Sequence, residues 1–119
     1  MNFLPTKMLR FASASAVSIC LFVAGLSANA AGDVKAGREK AAKCGMCHGL
    51  DGRSLIPEAP NLFGQNEMYL VEQLKAFKAG LRKNEQMAVM AQMLSPQDMQ
   101  DLAAYYGAIE VTIGKIPGP

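Results

Sequence analysis

Five consecutive residues, Cys44, Gly45, Met46, Cys47 and His48, put two thiols and an imidazole within reach of one another. A Cys-x-x-Cys pair can close a disulfide or serve as a redox dithiol, but the redox type sits in a strand-helix-strand setting that this sequence lacks. A structural zinc needs four Cys or His donors, and beyond residue 30 the chain offers only Cys44, Cys47 and His48. The spacing Cys-x-x-Cys-His is instead that of c-type haem attachment. Two thiols three residues apart on a turn can add to the two vinyl groups of one porphyrin, and the histidine that follows is then held under the iron. Tethering and ligation come from one pentapeptide.

His48 is the only histidine, so a second imidazole ligand from the same chain is excluded. Met or Lys must take the sixth position of the iron, or it stays open. Met is the better candidate, because a thioether is a soft ligand that stabilises the ferrous state. Beyond residue 30 the methionines are Met46, Met68, Met87, Met90, Met93 and Met99. Met46 is too close to the attachment site to reach the opposite haem face, and position favours Met87, Met90 or Met93. Methionines three residues apart usually serve as adaptable packing, so two of these three are expected to be wall residues.

Residues 1–30 read as an export leader. Lys7 and Arg10 form a basic start, Phe11 to Leu26 is uncharged and apolar, and Ala28-Asn29-Ala30 is a small-x-small cleavage site. The sixteen-residue apolar run is shorter than the roughly 20 residues that span a bilayer. Cys20 follows Ile19 rather than a small residue, which argues against a lipid anchor. Cleavage after Ala30 leaves 31–119, a domain of 89 residues with ten basic and ten acidic side chains. No block of like charge points to nucleic acid or to a membrane surface. A domain this small is marginal for a self-sufficient apolar core, and a large flat cofactor would supply core volume.

The elements that must position the motif read as helices joined by long loops. Asp33 to Ala42 is a first helix running into Cys44. Gly49 to Gln65, with three Gly and two Pro, is a connection that needs something to pack on. Asn66 caps a helix from Glu67 to Ala79, with Leu70, Leu74 and Phe77 at helical spacing and Gly80 as its stop. A polar break at Arg82-Lys83-Asn84-Glu85 leads to the methionine run. Ser95, Pro96 and Asp98 start a last helix in a capping-box arrangement, with Leu102, Tyr105, Tyr106 and Ile109 on one face. Residues 110–119 form an extended tail. The expected fold is all-α, three main helices plus loops wrapped around one covalently bound haem.

The stretches AGDVKAGREKAAKCGMCHGLDG, PNLFGQ, YLVEQLKAFKAGLRKN and LSPQDMQDLAAYY resemble the short bacterial class I cytochromes c and each half of the tandem dihaem cytochromes c. In that pattern the axial Met lies eight residues before the Ser of the last helix start, which here is Met87, with Met90 next in line. The resemblance also implies that a loop Pro offers its carbonyl to the proximal His ring, a part for Pro60 or, as the alternative, Pro57. It implies further that Gly37 and Tyr105 meet where the first and last helices cross. With one attachment motif, the chain is expected to be a single-haem form.

Taken together, these expectations describe a periplasmic one-electron carrier rather than an enzyme. Cys44 and Cys47 attach haem c, His48 and Met87 ligate its iron, and Pro60 orients the histidine. Its partners would be a donor dehydrogenase or quinol-oxidising complex and an acceptor oxidase or reductase. The alternative is a dedicated cytochrome subunit of a periplasmic dehydrogenase, bound to a flavoprotein as in flavocytochrome c sulfide dehydrogenase.

Overall fold

The computed structural model describes residues 31–118, so the stretch 1–30 expected to be an export leader, with Cys20 in it, and Pro119 lie outside the described residues. Five helices follow in order: α1 (Val34–Lys40), α2 (Gly45–His48), α3 (Glu67–Lys78), α4 (Glu85–Gln92) and α5 (Pro96–Gly107). There is no strand among the described residues. The three helices expected from the sequence are present, and the two additional ones are short.

Local sequence explains where the helices begin. A free backbone N–H at each start needs an acceptor. Asp33 supplies one to Ala36 and Asn66 one to Tyr69, while Asn84 caps α4 through the Met87 N–H at 2.9 Å. Ser95 and Asp98 form the anticipated reciprocal capping box ahead of α5. The first helix is shorter than Asp33–Ala42, because Asp33 lies outside it as the cap and Ala41 starts the turn that bends the chain into α2. Gly45 still donates to Ala41 O at 2.8 Å across that bend.

The core lies between α3 and α5. Leu70 and Val71 of α3 pack with Leu102, Ala103, Tyr105 and Tyr106 of α5 and with Ala41, while Leu62, Leu94 and Ile109 close over the edges. Of the expected stripe Leu70 and Phe77 are buried and Leu74 is half-buried, and Val71 is buried beside Leu70 in addition. Helix α5 packs on both α1 and α3, and α4 packs on α3.

The α1–α5 crossing is close because of Gly37. A Cβ at that position would lie 1.9 Å from Asp101 O and 2.7 Å from Tyr105 Cβ, so the expected meeting of Gly37 and Tyr105 is observed. The same crossing buries a charge that the sequence reading passed over. Asp101, 3 % exposed, accepts from the Asp33 N–H at 2.9 Å, from Gln97 Nε2 at 2.9 Å and from Lys40 Nζ at 2.6 Å. Asp33 and Lys40 bound α1 at its two ends, so one carboxylate holds the whole helix onto α5. A buried carboxylate is tolerated when its oxygens are bonded this fully.

Two outcomes follow for stability. Gly37→Ala lowers the stability of the full chain by about 1–3 kcal/mol, the usual cost of overpacking, although Ala is favoured over Gly by about 1 kcal/mol in an unconstrained helix. Gly114→Ala, where an added Cβ meets nothing within 4 Å, leaves the urea midpoint in place. The second outcome concerns acid. The Asp33 N–H, with Lys40 next in effect, draws the Asp101 carboxyl from 3.8 down to about 2. A folded value below the unfolded one stabilises the fold above the unfolded value and is lost as pH falls through the folded one. Thermal melts should therefore show the advantage of the natural chain over Asp101→Asn at neutral pH. That advantage should shrink as pH falls from 3.8 towards about 2.

Candidate functional site

The attachment motif forms a single helical turn. Cys44 precedes α2 with helical backbone angles, and the N–H groups of Cys47 and His48 donate to Cys44 O at 3.2 and 2.9 Å. Residues three apart on such a turn lie on the same side, so both sulfurs can address one flat partner. The two sulfurs are half-buried and do not form a disulfide with each other. Cys44 packs against the core cluster, and this burial pushes its thiol up. A redox dithiol needs the opposite shift, toward the thiolate.

His48 is buried, and its Nδ1 lies 2.9 Å from Pro60 O. A carbonyl can only accept, so the proton sits on Nδ1 and the lone pair of the neutral ring sits on Nε2. Nε2 has no hydrogen-bond partner among the described residues and is not sealed within the protein. The imidazole is thus fixed in the tautomer and orientation that a metal requires. Pro60, not Pro57, is the residue brought to the ring.

Two sets of bonds hold this arrangement. The loop after the motif is braced by Leu55 N–H to Cys47 O at 2.8 Å, Leu62 N–H to Gly52 O at 2.7 Å and Ser54 N–H to Asn61 Oδ1 at 2.8 Å. Helix α5 supplies the second set. Tyr105 OH donates to Leu50 O at 2.6 Å, and Tyr106 OH donates to Gly49 O at 3.2 Å. Arg38 Nη1 in turn donates to Tyr105 OH at 3.3 Å. Burial, with the neighbouring Cys44, Tyr105 and Asp51, pushes the Tyr106 phenol up, so it stays a donor at any ordinary pH. Both hydroxyls grip the two residues that follow His48, a role that packing at a helix crossing did not suggest.

The methionines separate by burial. Met87 and Met90 on α4 are half-buried, whereas Met93 is 55 % exposed and Met46 and Met68 are more so. Met99 is in the core. Helix α4 was not anticipated as a helix, although Asn84 followed by Glu85 is a recognisable start. It is tied to α3 by Gln92 Nε2 to Lys78 O at 2.7 Å and by a bond from Lys78 Nζ to Leu94 O.

An imidazole nitrogen with a free lone pair and thioethers from a separate helix are donors suited to iron, and the two thiols beside the imidazole can fix a porphyrin covalently. Among the described residues no three His, Cys, Asp or Glu side chains gather into a site for a bare metal ion. Attachment thiols next to one imidazole donor, with thioether donors elsewhere, suit an iron already held by a porphyrin, which defines the class as a c-type haem domain.

Comparison with known proteins agrees. The family model for cytochrome c matches residues 34–106. The chain is 46 % identical over 87 residues to cytochrome c4 of Pseudomonas aeruginosa, covering 73 % of this chain and 43 % of that one. It is 47 % identical over 83 residues to cytochrome c-554(548) of Halomonas halodenitrificans, covering 67 % of this chain and all of that one. The crystal structure of reduced recombinant cytochrome c4 from Pseudomonas stutzeri superposes with a TM-score of 0.64 at 44 % identity, over 71 % of this chain and 49 % of that one. The chain belongs to the cytochrome c family, as a class I domain resembling one half of a cytochrome c4. It spans about half the length of the cytochromes c4 it matches. The cofactor of this family is a covalently attached haem c with its iron.

The tyrosine grip gives a direct test. Tyr106→Phe leaves the Gly49 carbonyl without its buried donor and costs about 1–3 kcal/mol, and Tyr105→Phe, at the more exposed Leu50, costs about 0.5–1.5 kcal/mol. Urea denaturation of the haem-loaded full chain measures both.

Proposed function

We propose that this protein is a periplasmic one-electron carrier in which Cys44 and Cys47 hold the haem, His48 and Met87 ligate the iron, and Pro60 orients the histidine. The observation that carries this reading is the His48 Nδ1 to Pro60 O contact of 2.9 Å. It commits the ring proton to one nitrogen and leaves the other as a ligand, an arrangement with no use in a disulfide or a redox dithiol. Haem c, when bound, supplies an iron that alternates between ferric and ferrous forms.

The protein's part is to set how readily that change occurs. The Pro60 carbonyl raises the basicity of the imidazole. A thioether from Met87 favours the ferrous form and raises the potential within the range of about 0.8 V that axial ligands span. If His48 and Met87 both held the iron, no position on it would be left for a substrate, which supports outer-sphere electron transfer over catalysis. The family pattern supports Met87 over Met90, and half-burial on the first turn of α4 is compatible with that choice. The basic, apolar and small-residue pattern of 1–30 supports export. No helix among the described residues is long and apolar enough to cross a membrane. Donor and acceptor would be redox proteins, a dehydrogenase or quinol-oxidising complex on one side and an oxidase or reductase on the other.

The decisive measurement is the visible spectrum and midpoint potential of Met87→Ala and Met90→Ala after haem loading. Met87→Ala loses the methionine-to-iron charge-transfer band and shifts to lower potential, while Met90→Ala keeps the band. The reverse pattern reassigns the ligand to Met90. An unchanged band and potential in both variants overturns methionine ligation by α4.

A further inference from the structure

Asn61 follows Pro60 directly, and its side chain does not do what a loop asparagine usually does. Such a side chain ordinarily bonds to backbone one or two residues away. Here Oδ1 reaches back seven residues and accepts from the Ser54 N–H at 2.8 Å. Ser54 also holds the approach to Pro60. Its Oγ donates to Ile56 O and accepts from the Ile56 N–H at 3.3 Å, and Ile56 O accepts in turn from the Ala59 N–H at 3.2 Å. One half-buried serine is thus bonded on both sides of the proline.

These bonds close a circuit through the attachment motif. The next amide along, the Leu55 N–H, donates to Cys47 O at 2.8 Å, so the backbone that receives Asn61 is fixed to the residue before His48. From His48 the circuit returns through Nδ1 to Pro60 O at 2.9 Å. The carbonyl is therefore placed relative to the same turn that carries the ring it meets. Proline fixes its own φ and has no N–H to bond, and its C=O shares one rigid peptide plane with the Asn61 Cα. The direction of that carbonyl thus depends on where Asn61 is held. Leu62 N–H to Gly52 O at 2.7 Å closes the loop whatever side chain stands at 61, and Asn61 is exposed. Its bond is not needed to shut the loop, and its effect falls on the adjacent carbonyl.

We infer that Asn61 is a positioning residue for His48: its amide oxygen, held by the Ser54 N–H, aims the Pro60 carbonyl at Nδ1. The inference rests on the reading of His48 as an iron ligand oriented by Pro60, and adds the side chain that sets their hydrogen bond. Such a bond weakens steeply as it departs from linearity, so a small turn of the peptide plane is felt at the ring before it is felt by the fold. A weaker bond at Nδ1 leaves Nε2 less basic and a poorer donor to ferric iron, which raises the potential. The residue type matters because the acceptor must sit at one distance from the backbone. Asp keeps both the oxygen and its reach, Gln carries the oxygen one methylene further, and Ala has none.

The test uses the haem-loaded full chain, labelled with ¹⁵N and held in the ferrous state. His48 is the only histidine, so its Nδ1–H gives a single imidazole signal whose exchange with solvent can be timed. Asn61→Ala should speed that exchange several-fold and raise the midpoint potential. Asn61→Asp should keep the exchange as slow as in the natural chain. Asn66→Ala removes the same amide from the α3 cap, and should lower the urea midpoint while leaving exchange and potential in place. Unchanged exchange and potential in Asn61→Ala would overturn the assignment, as would fast exchange in Asn61→Asp. So would an equal effect of Asn66→Ala, since the cause would then be stability alone. If Asn61→Ala does not take up haem, Asn61→Gln carries the test: faster exchange supports the assignment and unchanged exchange overturns it. Failure of the ligand reading would look different, because the natural chain itself would then show no slowly exchanging Nδ1–H.

Discussion

The close approach of α1 to α5 is the contact on which the other parts depend. It exists because Gly37 has no side chain: the carbonyl of Asp101 occupies the space where a Cβ would be. Close approach then brings the Asp101 carboxylate within reach of both ends of α1, so a buried charge is satisfied by the element it fastens. Removing water from this carboxylate without those three donors would cost several kcal/mol. The glycine and the acid are therefore one device, and neither would be tolerated easily without the other.

From that crossing the order passes along α5 to His48. Residues 101–106 are all buried, and the last two of them turn their hydroxyls to Leu50 and Gly49. The carbonyl of Tyr106 also accepts from the Gly64 N–H at 2.9 Å, so the same residue pins both ends of the loop that carries Pro60. His48 is gripped just after its own position and oriented from twelve residues further on. A small domain with few large buried side chains obtains a fixed imidazole from hydrogen bonds to backbone, whose geometry is less forgiving than apolar contact.

Much of this was legible in the sequence, for local reasons. Asn66, Ser95 and Asp98 are capping residues whose role depends on neighbours three positions away, and Gly80 ends α3 by a backbone conformation, so no tertiary information was needed. Pro60 and the Gly37–Tyr105 contact came from family likeness and could not have been read from spacing. Asp101 was missed although its position carried a signal, since it stands one turn before Tyr105 on the buried stripe, where a carboxylate requires partners. The identity of those partners was not legible, because Asp33 and Lys40 lie 68 and 61 residues away. Val71 shows the same limit: periodicity gives the face of Leu70 and Phe77, while the neighbouring helix decides that burial extends to Val71.

The two sides of the site are not held equally. On the histidine side, bonds from α5, the 49–65 loop and the core cluster around Cys44 converge on one turn of chain. The methionine-bearing α4 has only α3 as a helical neighbour, and Val89 and Met93 on its outer side are 65 % and 55 % exposed. Its side-chain ties to α3, from Gln92 and through Lys78 to Leu94, all lie at its C-terminal end. Regions with few buried contacts open at lower free energy than the core to which they are attached. Among protein contacts alone, the methionine-bearing helix is therefore fixed from one side and at one end, whereas the turn of Cys44–His48 is fixed from several.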